Sequence, residues 1–555
     1  MVPVGSSAKE ELGCGVSCWV DQSPTATGPS RRDALFLVLV FLVSLGWSVH
    51  RETVGWHHTI SGAFQNGFRQ SQTALSTVYL ARGGPLLAYE TPVVGPPWSI
   101  PFEFPLYQYI VATAVRTLHT ALIPTGRFIS VLFLYATLCT VWHLLGELAV
   151  ARPHRLVFLT LLITSPLYVF WSRCFMIEST ALFLATAQLY FVIRGLRVRT
   201  LAPVICAWAM GTLAALVKPT TWMPFAALAG LMVAVQAYRG GKGRMPRVSV
   251  ERIALLGCAT AVLPAVALAG WTEYADLVKS HNPIGSVMRS NSPIIVRHLY
   301  GTLAQRFDWE TWSIMADRTI PDITGRRAGF LLPLLALCVT RERVGYYIAA
   351  LGAFVLPIVA FANLHVVHNY YAYANGLFLL VGSGWAIEGL FRANTRWWLP
   401  HVALLACAGI AVYGYYDPGV RHDYRLYSGS RFSGYASEQD RNDRYAQRLG
   451  VIIRSAIPSD SIVVGVGLDW SSELPLYAER RALMIPNWIR RDPETGTIEQ
   501  ALAQLPPGEV GALVECPGNS RDHAFVVQLA ERLRLDRVPR VAEWCLLFTR
   551  SARGR

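Results

Sequence analysis

Residues 201–238 read LAPVICAWAMGTLAALVKPTTWMPFAALAGLMVAVQAY, and Lys218 is the only charged residue among them. Each half comes close to the ~20 apolar residues that a membrane-spanning helix needs. Lys218-Pro219 at the join ends one helix and opens the next, because proline has no N–H to donate and suits the first helical position. The stretch therefore reads as two membrane helices meeting at a turn that holds a cation. Further segments of the same kind lie at Ala34–Val49 and near 128–150, 156–172, 177–193, 252–271, 328–340, 344–362, 370–391 and 397–415. Together they make about eleven spans, each near the ~20-residue requirement.

Basic residues orient them. Arg31 and Arg32 precede the first segment, and later clusters are Arg152/Arg155, Arg194/Arg197/Arg199, Arg239 to Arg247, Arg341/Arg343 and Arg392/Arg396. Placing all of these inside satisfies the positive-inside rule and makes the N-terminus cytoplasmic. The turns at 173–178, 218–221, 273–326 and 365–371 then lie outside, with everything after Tyr416. Glu103, Arg173, Glu178, Lys218, His365 and His368 thereby fall on one non-cytoplasmic face. Ionisable groups at membrane depth are costly, so their convergence points to a functional site rather than an anchor. Phe104–Ile123 carries Arg116 and His119 within its apolar pattern and reads as an interfacial, juxtamembrane helix.

Composition agrees. The chain is 53% hydrophobic and 15% charged, against roughly 25% charged in a soluble domain. The net charge of +14 is accounted for by cytoplasmic loops and implies no nucleic-acid partner. Only four of 50 basic residues are Lys, which makes Lys218 conspicuous. Cys139, Cys174, Cys206, Cys258, Cys338 and Cys407 lie in or beside apolar helices as packing residues. Cys14 and Cys18 lack a second ligand pair for a metal. Cys516 and Cys545 are candidates for a disulfide that spacing alone does not establish.

Three regions follow: a disordered cytoplasmic tail at 1–32, a membrane domain at 33–415 with long outer loops 50–103 and 273–326, and an extracytoplasmic α/β domain at 416–555. In the last, Ile462–Val466, Val510–Val514 and Cys545–Thr549 read as strands, and Gln439–Ser455 and Ala524–Arg534 as helices. It has neither a Gly-rich phosphate loop nor a nucleophile elbow, so no catalytic role is expected of it.

Several motifs carry a resemblance. Glu-Phe-Pro-Leu-Tyr-Gln-Tyr (103–109), Gly-Arg-Phe-Ile-Ser (126–130), Ser-Pro-Leu-Tyr-Val-Phe-Trp-Ser-Arg-Cys-Phe-Met-Ile-Glu-Ser (165–179), Val-Lys-Pro-Thr-Thr (217–221) and His-Asn-Tyr-Tyr (368–371) occur in this order. With Asp469-Trp470, Tyr477 and Arg480-Arg481 in the outer domain, the chain resembles, over about 34–490, the GT-C superfamily of membrane glycosyltransferases. It is most similar to bacterial relatives of protein O-mannosyltransferases and aminoarabinose transferases (glycosyltransferase family 39). The resemblance implies a GT-C fold in the plasma membrane and a polyprenyl-phosphate sugar as donor. It implies inverting transfer at the outer face to a protein, lipid or glycan acceptor.

That chemistry needs a base for the acceptor and positive charge for the departing phosphate. Lys218, Arg173, His368 and Tyr370 are the candidates for phosphate, although Lys218 can equally snorkel and Arg173 can equally pair with Glu178. Glu103, His57, His58 and Glu178 are the candidate catalytic residues, with Glu52 and Glu90 as further choices for the base. Glu103, set between aromatic and proline residues, has the surroundings of a tuned base. The family commonly has an acid in the first outer loop where this chain reads Gly-Trp-His-His-Thr (55–59). His365 and His368 lack a third metal ligand, so a divalent metal is left open but not indicated. Trp309, Trp312 and Tyr274 read as interfacial belt residues. Two other classes stay open: a transporter or flippase of lipid-linked sugars, and an inactive GT-C-like scaffold. The first predicts midplane polar groups and internal repeats, and the sequence has neither.

Overall fold

The computed structural model describes residues 30–54, 56–57, 60, 67–241, 249–341, 343–393, 396–416, 445–489, 496–516 and 523–550. The tail at 1–29, with Cys14 and Cys18, lies outside the described residues, as does His58. Helix α1 (Arg31–Thr53) starts at a capping box in which Ser30 accepts from the Asp33 amide and Asp33 reaches back. Then follow α2 (Gly67–Ala81), α3 (Leu106–Leu118), α4 (Leu122–Glu147), α5 (Arg152–Thr164), α6 (Pro166–Trp171), α7 (Glu178–Arg197), α8 (Ala202–Val217) and α9 (Pro219–Gly241). Later apolar helices include Leu263–Ser280, Arg327–Val339, Val344–Ala360, Ala372–Arg392 and Leu399–Tyr416.

Seven helical stretches are long and apolar enough to cross a membrane: Arg31–Thr53, Leu122–Glu147, Glu178–Arg197, Pro219–Arg239, Val250–Ser280, Asn369–Arg392 and Leu399–Tyr416. Ala202–Val217, Arg327–Val339 and Val344–Ala360 are apolar but shorter. The expected span at 156–172 is two helices, because Ser165-Pro166 interrupts the ladder between α5 and α6. Of the eleven expected segments, seven are thus long enough in one helix, three are shorter apolar helices and one is broken in two. Arg127 is buried inside the start of α4, where its guanidinium reaches the Trp56 carbonyl at 2.8 Å. The juxtamembrane helix is α3; its 13 residues end at a left-handed His119. At about 1.5 Å per residue it is too short for a ~30 Å hydrocarbon core.

Helix α7 lies at the centre of the bundle, against α4, α8 and α9. The span containing it is 72% buried, and that of Asn369–Arg392 89%. By contrast α1, at 11%, leaves most of its apolar side to lipid. Arginines gather at the far end of the bundle: Arg194 binds Glu147 at 2.8 Å, and Arg343 binds buried Glu388 at 2.8 Å.

The C-terminal region holds a five-stranded sheet of order β2-β1-β3-β5-β4. Its strands are β1 (Ile462–Val466), β2 (Ala482–Met484), β3 (Val510–Glu515), β4 (Arg540–Ala542) and β5 (Cys545–Thr549). Strands β2, β1 and β3 are parallel and β5 and β4 antiparallel. The run Ile-Val-Val-Gly-Val in β1 is buried throughout, as a strand covered on both faces must be. Cys516 and Cys545 form a disulfide beside the β3–β5 pair. The three expected strands are present, and helices occupy Tyr445–Ala456 and His523–Arg532. Part of the expected Gln439–Ser455 helix lies outside the described residues.

The loop between α2 and α3 docks on the free edge of β2. Ala482 and Met484 amides donate to Pro92 and Val93 carbonyls at 3.0 and 2.8 Å, and Arg481 binds Glu90 at 2.8 Å. The Asn282 amide nitrogen holds the carbonyls of Val94, Gly95 and Pro96. This ties the loop between sheet and bundle and sets where Glu103 stands. A second fixed point is Gly126, where an added Cβ would lie 2.1 Å from the fully buried Phe175 ring. Gly126→Ala is expected to lower stability by about 1–3 kcal/mol through overpacking, read as a fall in the thermal unfolding midpoint in detergent.

Candidate functional site

Four pieces of chain meet at one end of the bundle. They are α2, the loop segment ending at Glu103, the start of α7, and the break between α8 and α9. Each is placed by local chemistry. Lys218 has extended backbone angles after α8, and Pro219 opens α9. Glu178 is the first residue of α7, where a carboxylate suits the helix N-terminus. The Tyr89 hydroxyl takes the Phe102 amide at 2.9 Å and donates to the Glu103 carbonyl at 3.1 Å. Trp271 Nε1 donates to the Phe102 carbonyl, and the Phe104 amide to the Leu216 carbonyl two residues before Lys218.

The result is two ion pairs in one cluster. Lys218 Nζ binds Glu178 Oε1 at 2.6 Å, with side chains only 6% and 3% exposed. Arg69, on α2, pairs with Glu103. The Lys218 ammonium lies 4.3 Å from the Tyr371 ring centroid and 5.1 Å from that of Tyr370, a cation–π setting that stabilises a buried charge. Arg69 and Glu103 lie within electrostatic reach of Lys218. Glu178 Oε2, Thr220 Oγ1 and Trp222 Nε1 are buried without a hydrogen-bond partner among the described residues. Unsatisfied buried polar atoms call for an explanation, and a polar ligand is one.

Above the pairs, Trp470 packs edge-on against Phe68 at 5.2 Å and beside Phe102 at 5.8 Å. The segment 365–371 closes the other side. The His368 ring lies 5.2 Å from Tyr370 and 5.6 Å from His298. Arg318 donates to the carbonyls of His365 and Val366. Burial, with Arg318 and Lys218 nearby, pushes the His365 imidazole down to about 3. Burial also pushes His368 down to about 3, helped by His298, Arg318, Arg69 and Lys218. Both rings are neutral at pH 7 and offer hydrogen bonds rather than charge.

The other candidates stand elsewhere. Arg173 does not pair with Glu178, whose partner is Lys218. Its Nη1 caps α1, donating to the carbonyls of Arg51 and Val54 at 3.1 and 2.7 Å. Exposed His57 follows Trp56, whose carbonyl holds Arg127, so it belongs to the same neighbourhood. Glu52 is buried and bonded to Ser48 and Tyr135, and Glu90 is taken up by Arg481. Lys218 is buried at the helix break instead of snorkelling. Glu103 is not the lone carboxylate that its aromatic and proline neighbours suggest. Arg69 went unread because Gly67–Ala81 is rich in Gln, Ser and Thr and falls inside a loop by apolar patterning. The hydroxyls that bond back to carbonyls four residues earlier, such as Thr73 to Arg69, are its helical signal. Among the described residues no group of three or more His, Cys, Asp or Glu could hold a metal ion.

No protein-family model matches the chain, and no curated protein does. Solved structures do. ArnT from Cupriavidus metallidurans bound to undecaprenyl phosphate matches with TM-score 0.57 and 13% identity, over 92% of this chain and 98% of that one. The apo form matches with TM-score 0.57 and 14% identity, over 92% and 99%. The mycobacterial arabinofuranosyltransferase AftD matches with TM-score 0.51 and 12% identity, over 95% of this chain and 40% of that one. The chain therefore has the GT-C fold of membrane glycosyltransferases, as its motifs imply.

Two outcomes follow. Removing one partner of a buried ion pair strands the other charge, at about 3–5 kcal/mol. Lys218→Met should therefore destabilise strongly, and Lys218→Met with Glu178→Leu should recover most of the loss in thermal unfolding. For the imidazoles, the unfolded chain takes up protons below 6.5 while the folded one does so only near 3. Stability should fall as pH drops from 6.5 toward 3, with a shallower slope in His365→Asn/His368→Asn, measured as midpoints at pH 7, 6, 5 and 4.

Proposed function

We propose that this chain is a glycosyltransferase that moves a hexosyl or pentosyl group from a polyprenyl-phosphate donor to an acceptor, with inversion, at the outer face of the plasma membrane. The carrying observation is the cluster of Lys218–Glu178 and Arg69–Glu103 around unsatisfied polar atoms. The N-terminus is cytoplasmic and the sheet domain, at 416–555, extracytoplasmic in this reading. The ArnT structure bound to undecaprenyl phosphate supports a lipid phosphate as the donor's carrier.

The reaction needs three things of these residues. A carboxylate must take the acceptor hydroxyl proton as its oxygen attacks the anomeric carbon. Glu103 fills that role, oriented by Arg69 on its side chain and by Tyr89 on its backbone. The anomeric carbon–oxygen bond then breaks and its electron pair stays on the lipid phosphate. Lys218 and Arg69 stabilise that charge, and they do so strongly because the site is shielded from water. Glu178 holds the ammonium of Lys218 in place, while Tyr370 and His368 supply neutral hydrogen bonds to phosphate or sugar. Of the earlier candidates, Arg173 and His57 stand apart and are not assigned to this step.

The test is turnover of radiolabelled polyprenyl-phosphate sugars by purified protein in lipid. Wild type should consume donor, and Lys218→Ala and Glu103→Gln should each lower kcat by about 10²–10⁴. Absence of consumption by folded wild type with mannose, arabinose, glucose and aminosugar donors would refute the transferase. Passage of the same lipids across the bilayer would then favour the transport alternative.

A further inference from the structure

Arg51 and Arg173 form a second basic cluster that the proposed reaction does not use. Arg51, in the last turn of α1, lies 5.2 and 5.3 Å from the ring centroids of Tyr415 and Tyr416. Its Nε is buried without a hydrogen-bond partner, and it has no salt bridge among the described residues. Arg173 uses only Nη1, for the two carbonyls that end α1. Its guanidinium faces the Phe170 ring at 5.5 Å, and the hydrogen bonds it makes among the described residues are those two from Nη1. Glu52 is a carboxylate in electrostatic reach of Arg173. Both Glu52 oxygens are already taken, by Ser48 at 3.1 Å and Tyr135 at 3.0 Å. Arg127 adds positive potential beside Arg173. The neighbourhood is thus short of negative charge.

Its position says what can supply that charge. Trp47 Nε1 donates to the Tyr416 hydroxyl at 3.1 Å, so Trp47, Tyr415 and Tyr416 form an aromatic belt at the ends of two spans. Such belts stand at headgroup level. Helix α1 faces lipid over most of its length, which leaves the cluster open from the bilayer. Lys218 contacts Glu178, Tyr370 and Tyr371, whereas Arg51 contacts Tyr415 and Tyr416, and Arg173 contacts Phe170 and the end of α1.

We infer that Arg51 and Arg173 bind the phosphate of a lipid in the leaflet on this side, at a site separate from the Lys218–Arg69 cluster. Guanidinium forks match phosphate oxygens well, and the belt around Arg51 packs against the acyl stem. The inference rests on the membrane orientation proposed above, not on transferase activity.

The experiment is native mass spectrometry of the full chain with added phosphatidylglycerol, phosphatidylcholine, undecaprenyl phosphate or inorganic phosphate. Wild type should retain a phosphate-bearing anionic lipid in preference to phosphatidylcholine. Arg51→Gln and Arg173→Gln should each weaken that retention about tenfold, the scale of one charge-assisted hydrogen bond. Arg532→Gln, in the sheet domain, should leave it unchanged. If phosphatidylglycerol shows the effect, the source is bulk phospholipid; if undecaprenyl phosphate alone shows it, with a second equivalent bound, the source is a polyprenyl carrier. Competition by inorganic phosphate would mean that the headgroup suffices. Because Arg173 also caps α1, Arg51→Gln keeps the result independent of folding. Equal retention of every lipid by wild type and both Arg variants would overturn the site. An inactive wild type that still shows the Arg51 effect would sink the transferase and leave this site standing.

Discussion

A charge buried in an apolar bundle has to be paired, and the pair between Lys218 and Glu178 is the constraint that organises this molecule. Neither side chain has water to solvate it, and the desolvation cost of each ion is several kcal/mol. The two must therefore be delivered to the same point by separate helices. Glu178 arrives as the first residue of a central helix, and Lys218 at the break between two others. The tyrosine faces at 370–371 complete the surroundings of the ammonium. Pairing of this kind contributes little net stability, so its presence at the end of an apolar bundle is better explained by what the charges do than by what they hold together.

The remaining architecture positions the second pair against the first. The outer loop is a connection between sheet and bundle: its backbone extends β2 on one side and is gripped by Asn282 on the other. Glu103 lies where that loop re-enters the bundle, fixed by Tyr89, Trp271 and the end of α8. The sheet domain thus matters to the site without offering an evident catalytic group. It holds the loop, and through Trp470 it places an aromatic wall beside Arg69 and Glu103.

Much of this was legible in the chain. The apolar segments, the polar ends gathered on one face and the strands at 462–466, 510–514 and 545–549 follow from length, charge and period. The pairings were less so. Lys218 with Glu178 requires two segments 40 residues apart to meet, and no local pattern carries that. Arg69 was hidden because its helix is polar on most faces and lies within a loop. It is buried by neighbours that are far away in sequence. Strands β2 and β4, three residues each, are too short to show a period. Ser165-Pro166 broke a span that hydropathy alone reads as continuous. Arg173 illustrates a different limit: its spacing to Glu178 suggests an ion pair, whereas Glu178 pairs with Lys218 and Arg173 caps α1.

The central claim is that the two ion pairs form the seat of a lipid-linked phosphate. The most direct measurement is a single-particle structure of the full chain in nanodiscs loaded with undecaprenyl phosphate. The account predicts phosphate density within hydrogen-bond distance of Lys218 Nζ and the Arg69 guanidinium, with the lipid tail leaving between helices. A fully occupied phosphate found only elsewhere, with Lys218–Glu178 and Arg69–Glu103 closed as in the free protein, would contradict it.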